Sequence, residues 1–315
     1  MALKQVIEVS DWLETSRIES QTVEKYFREK GIRPSEFEVF RVRGQKGETL
    51  FIKIVVRGRK GRSKGKSSPT LGIIGRLGGI GARPKKVGLV SDADGAITAL
   101  ACAAKLGEMR QRGDELAGDV IVATHLCPRS PVIPHHPVPF MGAPVPMEIM
   151  NRYEVDEAME AILSVDTTKG NRVINHRGIA ISPTVKDGYI LRVSEDLMDI
   201  MEIVTGRLPV VFPITTQDIT PYGNGIYHLN SILQPATATS APVVGVAITT
   251  ETAVPGCATG ANQPMDIELA VRFCIEVAKA FGEKRCSFYD VGEYERLLAL
   301  YGPLTHLKTL GSRRV

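Results

Sequence analysis

The sequence lacks the long apolar segments that mark membrane and secreted proteins. Its 315 residues contain no run of 18 apolar residues, which predicts that no part of the chain spans a membrane. The first residues, MALKQVIEVSDWLE, have neither a basic start before an apolar core nor a small-residue cleavage site. We therefore expect a cytoplasmic protein.

Cysteine is scarce and follows no pattern. The five cysteines are scattered and form no CxxC pair, which excludes a zinc knuckle and argues against a disulfide framework. Cys102 and Cys274 fall within apolar helical patterns and are predicted to be core residues. Cys127 and Cys257 lie beside possible site loops and remain candidates for a reactive thiol.

Several catalytic motifs are also missing. No GKS or GKT follows the glycines of residues 75–81, so a phosphate-binding P-loop is excluded. The sequence has no GxSxG, which excludes the nucleophile elbow of serine hydrolases. It has no HExxH, which excludes the helix-borne zinc site of many metalloproteases.

Positive charge is concentrated in one segment. Residues 57–66, RGRKGRSKGK, hold six cations, and the remaining 33 basic residues face 35 acidic ones. Such a segment can contact phosphates or RNA, but this one has no aromatic residues on which bases could stack. We expect a flexible, solvated loop over 57–67 and do not expect nucleic-acid binding.

What the sequence does contain is an alternation of strand and helix patterns. Apolar runs such as 118–126 alternate with helical segments, of which 263–282 has the clearest three-and-four spacing. This order is typical of the α/β class, with a mostly parallel central sheet and helices on both faces. We expect one domain over 1–315, a proline-rich arm at 128–147 and, because such arms often lie at subunit contacts, a homo-oligomer.

Polar residues at the ends of the predicted strands are the candidate site. Ligands of parallel sheets bind beyond the carboxyl ends of the strands, so these residues should lie together. They are Arg76, Asp92, Asp94, His125, Asp166, Asp218 and Glu251.

Asp92 and Asp94 stand where an apolar strand pattern passes into an Ala-rich helix pattern. Ser91 and Asp94 have the spacing of a capping box, and acids are favourable near a helix N-terminus. Capping explains one acid, whereas two acids within three residues also suit metal or substrate binding. Both interpretations remain open from the sequence.

The other polar residues carry weaker signals. His125 ends a strand pattern, where a histidine can be a ligand, a base or simply the polar end of a strand. Asp166, Asp218 and Glu251 are weak individually, because Asp also starts turns. His228 closes a loop, residues 216–228, whose glycines would let the backbone approach a ligand.

Two stretches carry a resemblance to known families. GIIGRLGGIGARP and GLVSDADGAI resemble a bacterial and archaeal family known only as a domain of unknown function. More distantly, the order of elements is similar to co-catalytic zinc aminopeptidases of the glutamyl and deblocking type. Those enzymes bind metal through a Gly-His-x-Asp strand end, a bridging Asp, a Glu-Glu pair, a later Asp and a late His.

The match to the aminopeptidase metal site is partial. Asp92 matches the bridging aspartate and Asp166 matches the later ligand aspartate. Arg76 stands where the first histidine is expected, the Glu-Glu position falls near His125, and no histidine follows Val246 where the last ligand is expected. The standard two-zinc site therefore cannot form.

The resemblance implies a hydrolase that acts on an amide bond of a small peptide or amino-acid derivative. One divalent ion, zinc or manganese, would be held by Asp92, His125 and Asp166, and a site without metal is an equal alternative. Proton transfer would fall to His125 or Asp94, and Cys127 is a further catalytic candidate. The substrate would be bound by the remaining polar residues, namely Arg76, Asp218, His228 and Glu251.

Two other functions remain open. The protein could be a catalytically inactive relative that binds an amino-acid-like ligand, with Arg76 clamping its carboxylate. It could instead be a metal-free isomerase or lyase that uses Cys127 or His125. In each case the expected partner is a small molecule or short peptide.

Overall fold

One mixed sheet forms the centre of the protein. In a computed structural model the described residues are 1–14, 18–45, 47–76, 78, 89–128, 130, 132–134, 140–254 and 261–312. The strands are β1 (Phe37–Gly44), β2 (Gly47–Val56), β3 (Leu71–Gly75), β4 (Val120–Leu126), β5 (Val132–Ile133), β6 (Phe140–Met141), β7 (Ala161–Thr168), β8 (Gly178–Ile181), β9 (Val185–Lys186), β10 (Tyr189–Ile190) and β11 (Val243–Thr249). The helices are α1 (Leu3–Leu13), α2 (Ser20–Glu29), α3 (Asp94–Gln111), α4 (Met147–Glu154), α5 (Glu195–Thr205), α6 (Pro264–Gly282) and α7 (Val291–Tyr301).

The middle of the sheet is parallel and its flanks are antiparallel. The strand order is β1-β2-β4-β3-β7-β11-β9-β10, and β8 also pairs with β11. Strands β4, β3, β7 and β11 run parallel, whereas β2 and β8 are antiparallel to their neighbours. Every residue of β3, β4 and β11 is buried, which explains why these strands are continuous apolar runs rather than alternating ones. The predicted fold class is confirmed.

The two faces of the sheet are covered differently. Helices α1, α3, α5 and α6 pack together on one face. The other face is covered by α4 and by short 3₁₀ turns at 216–219 and 234–237. None of the described helices combines the length and apolarity needed to cross a bilayer.

Two segments differ from what their sequence patterns predict. The periodicity of residues 10–30 predicts one helix, but this stretch contains the end of α1 and then α2. The apolar run at 208–218 predicts a strand, but among its residues only Val211 forms a bridge, to Ile181, before the 3₁₀ turn begins. The candidate thiol Cys257 and the adjacent histidines of the proline-rich arm, His135 and His136, lie outside the described residues.

The basic segment 57–67 is held in a defined turn, although we expected a flexible loop. The buried carboxylate of Asp119 accepts hydrogen bonds from the peptide N–H groups of Gly58 at 2.8 Å and Ser63 at 2.7 Å. Arg62 forms an ion pair with Glu160 at 2.7 Å. One buried acid therefore organises the turn while most of its cations remain exposed.

The close approach of α3 to the sheet yields a first prediction. A Cβ on Gly95 would overlap the backbone oxygens of Arg76 and Val165, which belong to fixed strand ends. We expect Gly95→Ala to lower the free energy of unfolding by about 3 kcal/mol, because the backbone cannot yield. Urea denaturation measures the effect.

The matched control is Gly292→Ala in α7, where a Cβ meets nothing closer than 3.5 Å. Alanine is favoured over glycine in a helix, so this variant should be neutral or stabilised by up to about 1 kcal/mol. Equal stability of the two variants would contradict the packing described for Gly95.

Candidate active site

The carboxyl ends of the parallel strands bring the predicted polar residues to one rim of the sheet. Arg76 follows β3, and its peptide N–H donates to the carbonyl of Val165 in β7 at 2.7 Å. His125 lies near the end of β4 and Asp166 near the end of β7. Asp94 begins α3 at the same rim, as its side-chain contact with Thr167 shows. The convergence predicted from the parallel sheet is thus present for these residues.

Asp94 is a fully buried acid with three donors. Its carboxylate accepts from Thr167 Oγ1 and Lys169 Nζ, each at 3.2 Å, and from Asn262 Nδ2 at 2.5 Å. Burial raises its pKa to about 6, although Lys169 and the other donors oppose the rise. The N-cap residue of α3 is Ala93, and no side chain caps the helix, so capping does not explain Asp94.

Asp92 is half-buried and faces the same charges. Burial raises its pKa to about 6, the negative charge of Asp94 adds to the rise, and Lys169 opposes it. Among the hydrogen bonds between described residues, none involves the carboxylate of Asp92, whereas that of Asp94 accepts three.

Asp166 is buried at the end of β7. One carboxylate oxygen accepts from the peptide N–H of Thr167 at 2.6 Å, and the other accepts from Ser231 Oγ at 2.8 Å. Burial raises its pKa to about 7 in spite of these bonds and of the charge of Arg76, and repulsion from Asp92 contributes to the rise. The negative charge of Asp92 therefore acts on Asp166.

A buried glutamate from α4 joins two of the strand ends. One carboxylate oxygen of Glu154 forms an ion pair with Arg76, and the other hydrogen-bonds to Nδ1 of His125. Arg76 and Glu154 are both 0 % exposed. Although burial acts to raise the pKa of Glu154, the charges of Arg76 and His125 outweigh it and hold the pKa below its usual range.

Arg76 is enclosed by α4. Its guanidinium also contacts the Met147 sulfur and lies 3.5 Å from Oδ1 of Asn151. Its Nε is buried and has no hydrogen-bond partner among the described residues. Glu154 was not predicted from the sequence, because α4 follows the proline-rich arm and nothing local in NRYE marks a partner for a distant arginine.

Other predicted site residues have structural partners. Asp218 is fully buried and accepts from the peptide N–H groups of Thr215 at 2.9 Å and Asn230 at 2.7 Å, so it shapes a loop rather than facing a ligand. Glu251 is exposed to solvent. The buried bonds of Asp218 do not support the substrate-binding role expected for it. The role expected for Glu251 stays a prediction.

His228 and Cys127 are likewise engaged within the protein. His228 stacks on Tyr222 with ring centroids 4.2 Å apart and lies 3.1 Å from the Thr220 hydroxyl. Cys127 is buried with its sulfur 3.4 Å from Thr49 Oγ1, and burial raises its pKa to about 11. A thiol with so high a pKa is a poor nucleophile, which argues against catalysis by Cys127.

The described residues do not fit a metal ion at this rim. No three His, Cys, Asp or Glu side chains in the described part of the chain form a group that could hold one. The ring nitrogens of His125 are directed at Glu154 and, at 3.4 Å, at the peptide N–H of Gly78. The metal role of Asp92, His125 and Asp166 gains no support from this geometry and stays a prediction.

Comparison with known proteins identifies the family. Residues 40–311 match the model of a family described as "Protein of unknown function (DUF1177)". The chain belongs to this family. The predicted membership of a domain-of-unknown-function family is thereby confirmed, and no curated protein matches the DUF1177 chain in sequence.

Solved structures share the fold at low sequence identity. A glutaminyl cyclase from an Acidobacteriales bacterium is similar with a TM-score of 0.51 and 11% identity, over 90% of this chain and 94% of that one. The LapA aminopeptidase of Legionella pneumophila is similar with a TM-score of 0.47 and 13% identity, over 88% of this chain and 70% of that one. At this identity the likeness to the cyclase shows a common fold and nothing more.

The bridge formed by Glu154 yields a second prediction. Glu154→Gln removes the charge that Arg76 and His125 share, and a buried cation left unpaired is strongly unfavourable. We expect the free energy of unfolding to fall by about 3–5 kcal/mol in guanidinium denaturation.

Glu276→Gln serves as the control, because the pair of Glu276 with Lys279 is exposed on α6. Exposed pairs contribute about 1 kcal/mol or less, so this variant should be close to the wild type. A loss below about 1 kcal/mol for Glu154→Gln would show that the bridge is not a major source of stability.

Proposed function

We propose that this DUF1177 protein hydrolyses an amide bond in a small peptide or amino-acid derivative, with Asp92 and Asp166 as an acid–base pair. The observation that carries the proposal is that the two acids belong to different elements whose neighbouring residues meet at the carboxyl rim of the parallel strands, since Asp94 accepts a hydrogen bond from Thr167 Oγ1 at 3.2 Å. Ligands of such sheets bind at this rim.

The protonation states of the pair suit proton transfer near neutral pH. The pKa of Asp92 is about 6 and that of Asp166 is about 7. Between these values Asp92 is mostly ionised and Asp166 mostly protonated. When the environments of two carboxyl groups separate their pKa values in this way, the group with the lower pKa acts as the base and the other as the acid.

The proposed reaction uses only groups of this chain. Ionised Asp92, which is half-buried and free to contact a water molecule, takes a proton from that water as it attacks the amide carbonyl carbon. The C–N bond breaks, and protonated Asp166 donates its proton to the departing nitrogen. Asp94, bound by Lys169 and Asn262, holds α3 and therefore Asp92 in place.

A cleft beside α4 offers space for a small substrate, although Asp92 and Asp166 are not among its described lining residues. It has a volume of about 640 Å³, and its lining includes Met147, Asn151 and Tyr222. Met147 and Asn151 also contact Arg76, and the charges of Asp166 and Arg76 both act on the Tyr222 hydroxyl. The volume lies in the range of small-molecule sites, which supports a short substrate.

The fold does not oppose the proposed activity, because a glutaminyl cyclase, an enzyme, shares it. The isomerase or lyase alternative loses support because Cys127 is buried with a raised pKa. Binding of an amino-acid-like ligand without turnover remains as the competing outcome, and the following experiment separates the two.

The pH dependence of turnover tests the acid–base pair. Activity should rise as Asp92 loses its proton near pH 6 and fall as Asp166 loses its proton near pH 7, giving a narrow bell. Release of free amine from a panel of aminoacyl amides and short peptides, measured from pH 5 to pH 8, provides the profile.

Asp92→Asn and Asp166→Asn should each lower kcat/KM by roughly 100- to 10,000-fold, because each removes one proton-transfer group. Asp199→Asn on the exposed side of α5 is the matched control and should leave turnover unchanged. A flat pH profile, or full activity in either site variant, would rule out the pair; saturable ligand binding with no amine release would favour the non-catalytic function.

A further inference from the structure

We propose that the guanidinium of Arg76 takes the place of a divalent cation at this rim, so that the site is built to work without a metal ion. This inference rests on the proposed function, because it names the source of positive charge beside the Asp92–Asp166 pair. It addresses the disagreement between the metal site implied by the aminopeptidase resemblance and the residues that are present.

The register of the sheet places Arg76 next to Asp166. Ile74 of β3 lies opposite Ser164 of β7 in the parallel ladder. Because side chains alternate along a strand, the residues two positions further on, Arg76 and Asp166, point to the same face. The charge of Arg76 reaches Asp166 and opposes the rise in its pKa.

The positive charge of Arg76 is permanent and immobile. A guanidinium keeps its proton at all physiological pH values. Glu154 binds it from α4, with Met147 and Asn151 beside it, and the side chain of Arg76 is fully buried. A divalent ion approaching Asp166 would therefore meet a like charge that cannot move aside.

Unpartnered polar atoms on this face favour an oxygen ligand over a cation. Arg76 Nε and Ser164 Oγ are both buried and have no hydrogen-bond partner among the described residues. An Arg Nε carries a donor hydrogen and cannot coordinate a metal. Both atoms suit a water molecule or a substrate oxygen.

Two of the acids near the rim already have a cationic partner within the protein. Lys169, whose side chain is 9% exposed, serves Asp94 at 3.2 Å, and Arg76 serves Glu154. Asp166 lies on the same face of the sheet as Arg76 in the strand register, so the guanidinium is the cation placed next to it.

Manganese titration of the full chain tests this inference. After dialysis against a chelator, the wild type should show no saturable Mn²⁺ binding tighter than about 1 mM in calorimetry, and its melting temperature should not respond to Mn²⁺. The double variant Arg76→Gln/Glu154→Gln removes the cation together with its carboxylate partner. It should bind Mn²⁺ at least about tenfold tighter than the wild type.

Arg207→Gln, which removes an exposed arginine after α5, is the control and should behave as the wild type. If the double variant does not fold, Arg76→Leu replaces it, because leucine removes the charge without adding a metal ligand. The same gain in Mn²⁺ binding is expected.

Tight Mn²⁺ binding by the wild type that Asp166→Asn abolishes would overturn the inference. So would the absence of any gain in the folded Arg76 variants, because Arg76 would then not be what excludes the ion. Failure of the proposed hydrolysis appears separately, as absent amine release with these same titration results.

Discussion

The burial of several carboxyl groups at one rim is the constraint on which the rest of this structure depends. A carboxyl group in a protein interior must either be ionised and paired with a cation or keep its proton. Glu154 meets the first condition, since Arg76 and His125 flank it and its pKa is held low. Asp92 and Asp166 meet the second, since burial outweighs their partners and their pKa values rise. One rim thus holds an ion-paired carboxylate beside two acids whose pKa values lie near neutral pH.

The sheet and its two coverings make this arrangement possible. Parallel strands β3, β4 and β7 end at one rim, so Arg76, His125 and Asp166 need no long loops to meet. Helix α3 approaches the strand ends closely because Gly95 has no side chain. Helix α4, on the opposite face, then contributes Glu154, so the site combines residues from both coverings of the sheet.

Whether the sequence predicted a feature of this site depends on how far apart along the chain the interacting residues lie. Helix α6 was expected at 263–282 and spans Pro264–Gly282, because its apolar spacing is a local signal. The placement of Arg76, His125 and Asp166 at one rim followed from the rule that the ends of parallel strands converge. Glu154 was not predictable in this way, because its partners Arg76 and His125 are distant in sequence and α4 carries no signal of its own. Asp218 was expected to bind substrate, but its carboxylate accepts hydrogen bonds within its own loop. The sequence pattern does not show such buried bonds.

The most direct test of this account is a carbon-13 NMR titration of the aspartate carboxyl groups in the metal-free protein. Substitution of Asp92, Asp94 and Asp166 by asparagine, one at a time, assigns the three signals. The account predicts that these groups titrate with midpoints of about 6 for Asp92 and Asp94 and about 7 for Asp166. Midpoints at the ordinary value of about 3.9 for all three would show that the acids are solvated or fully paired, and would contradict it.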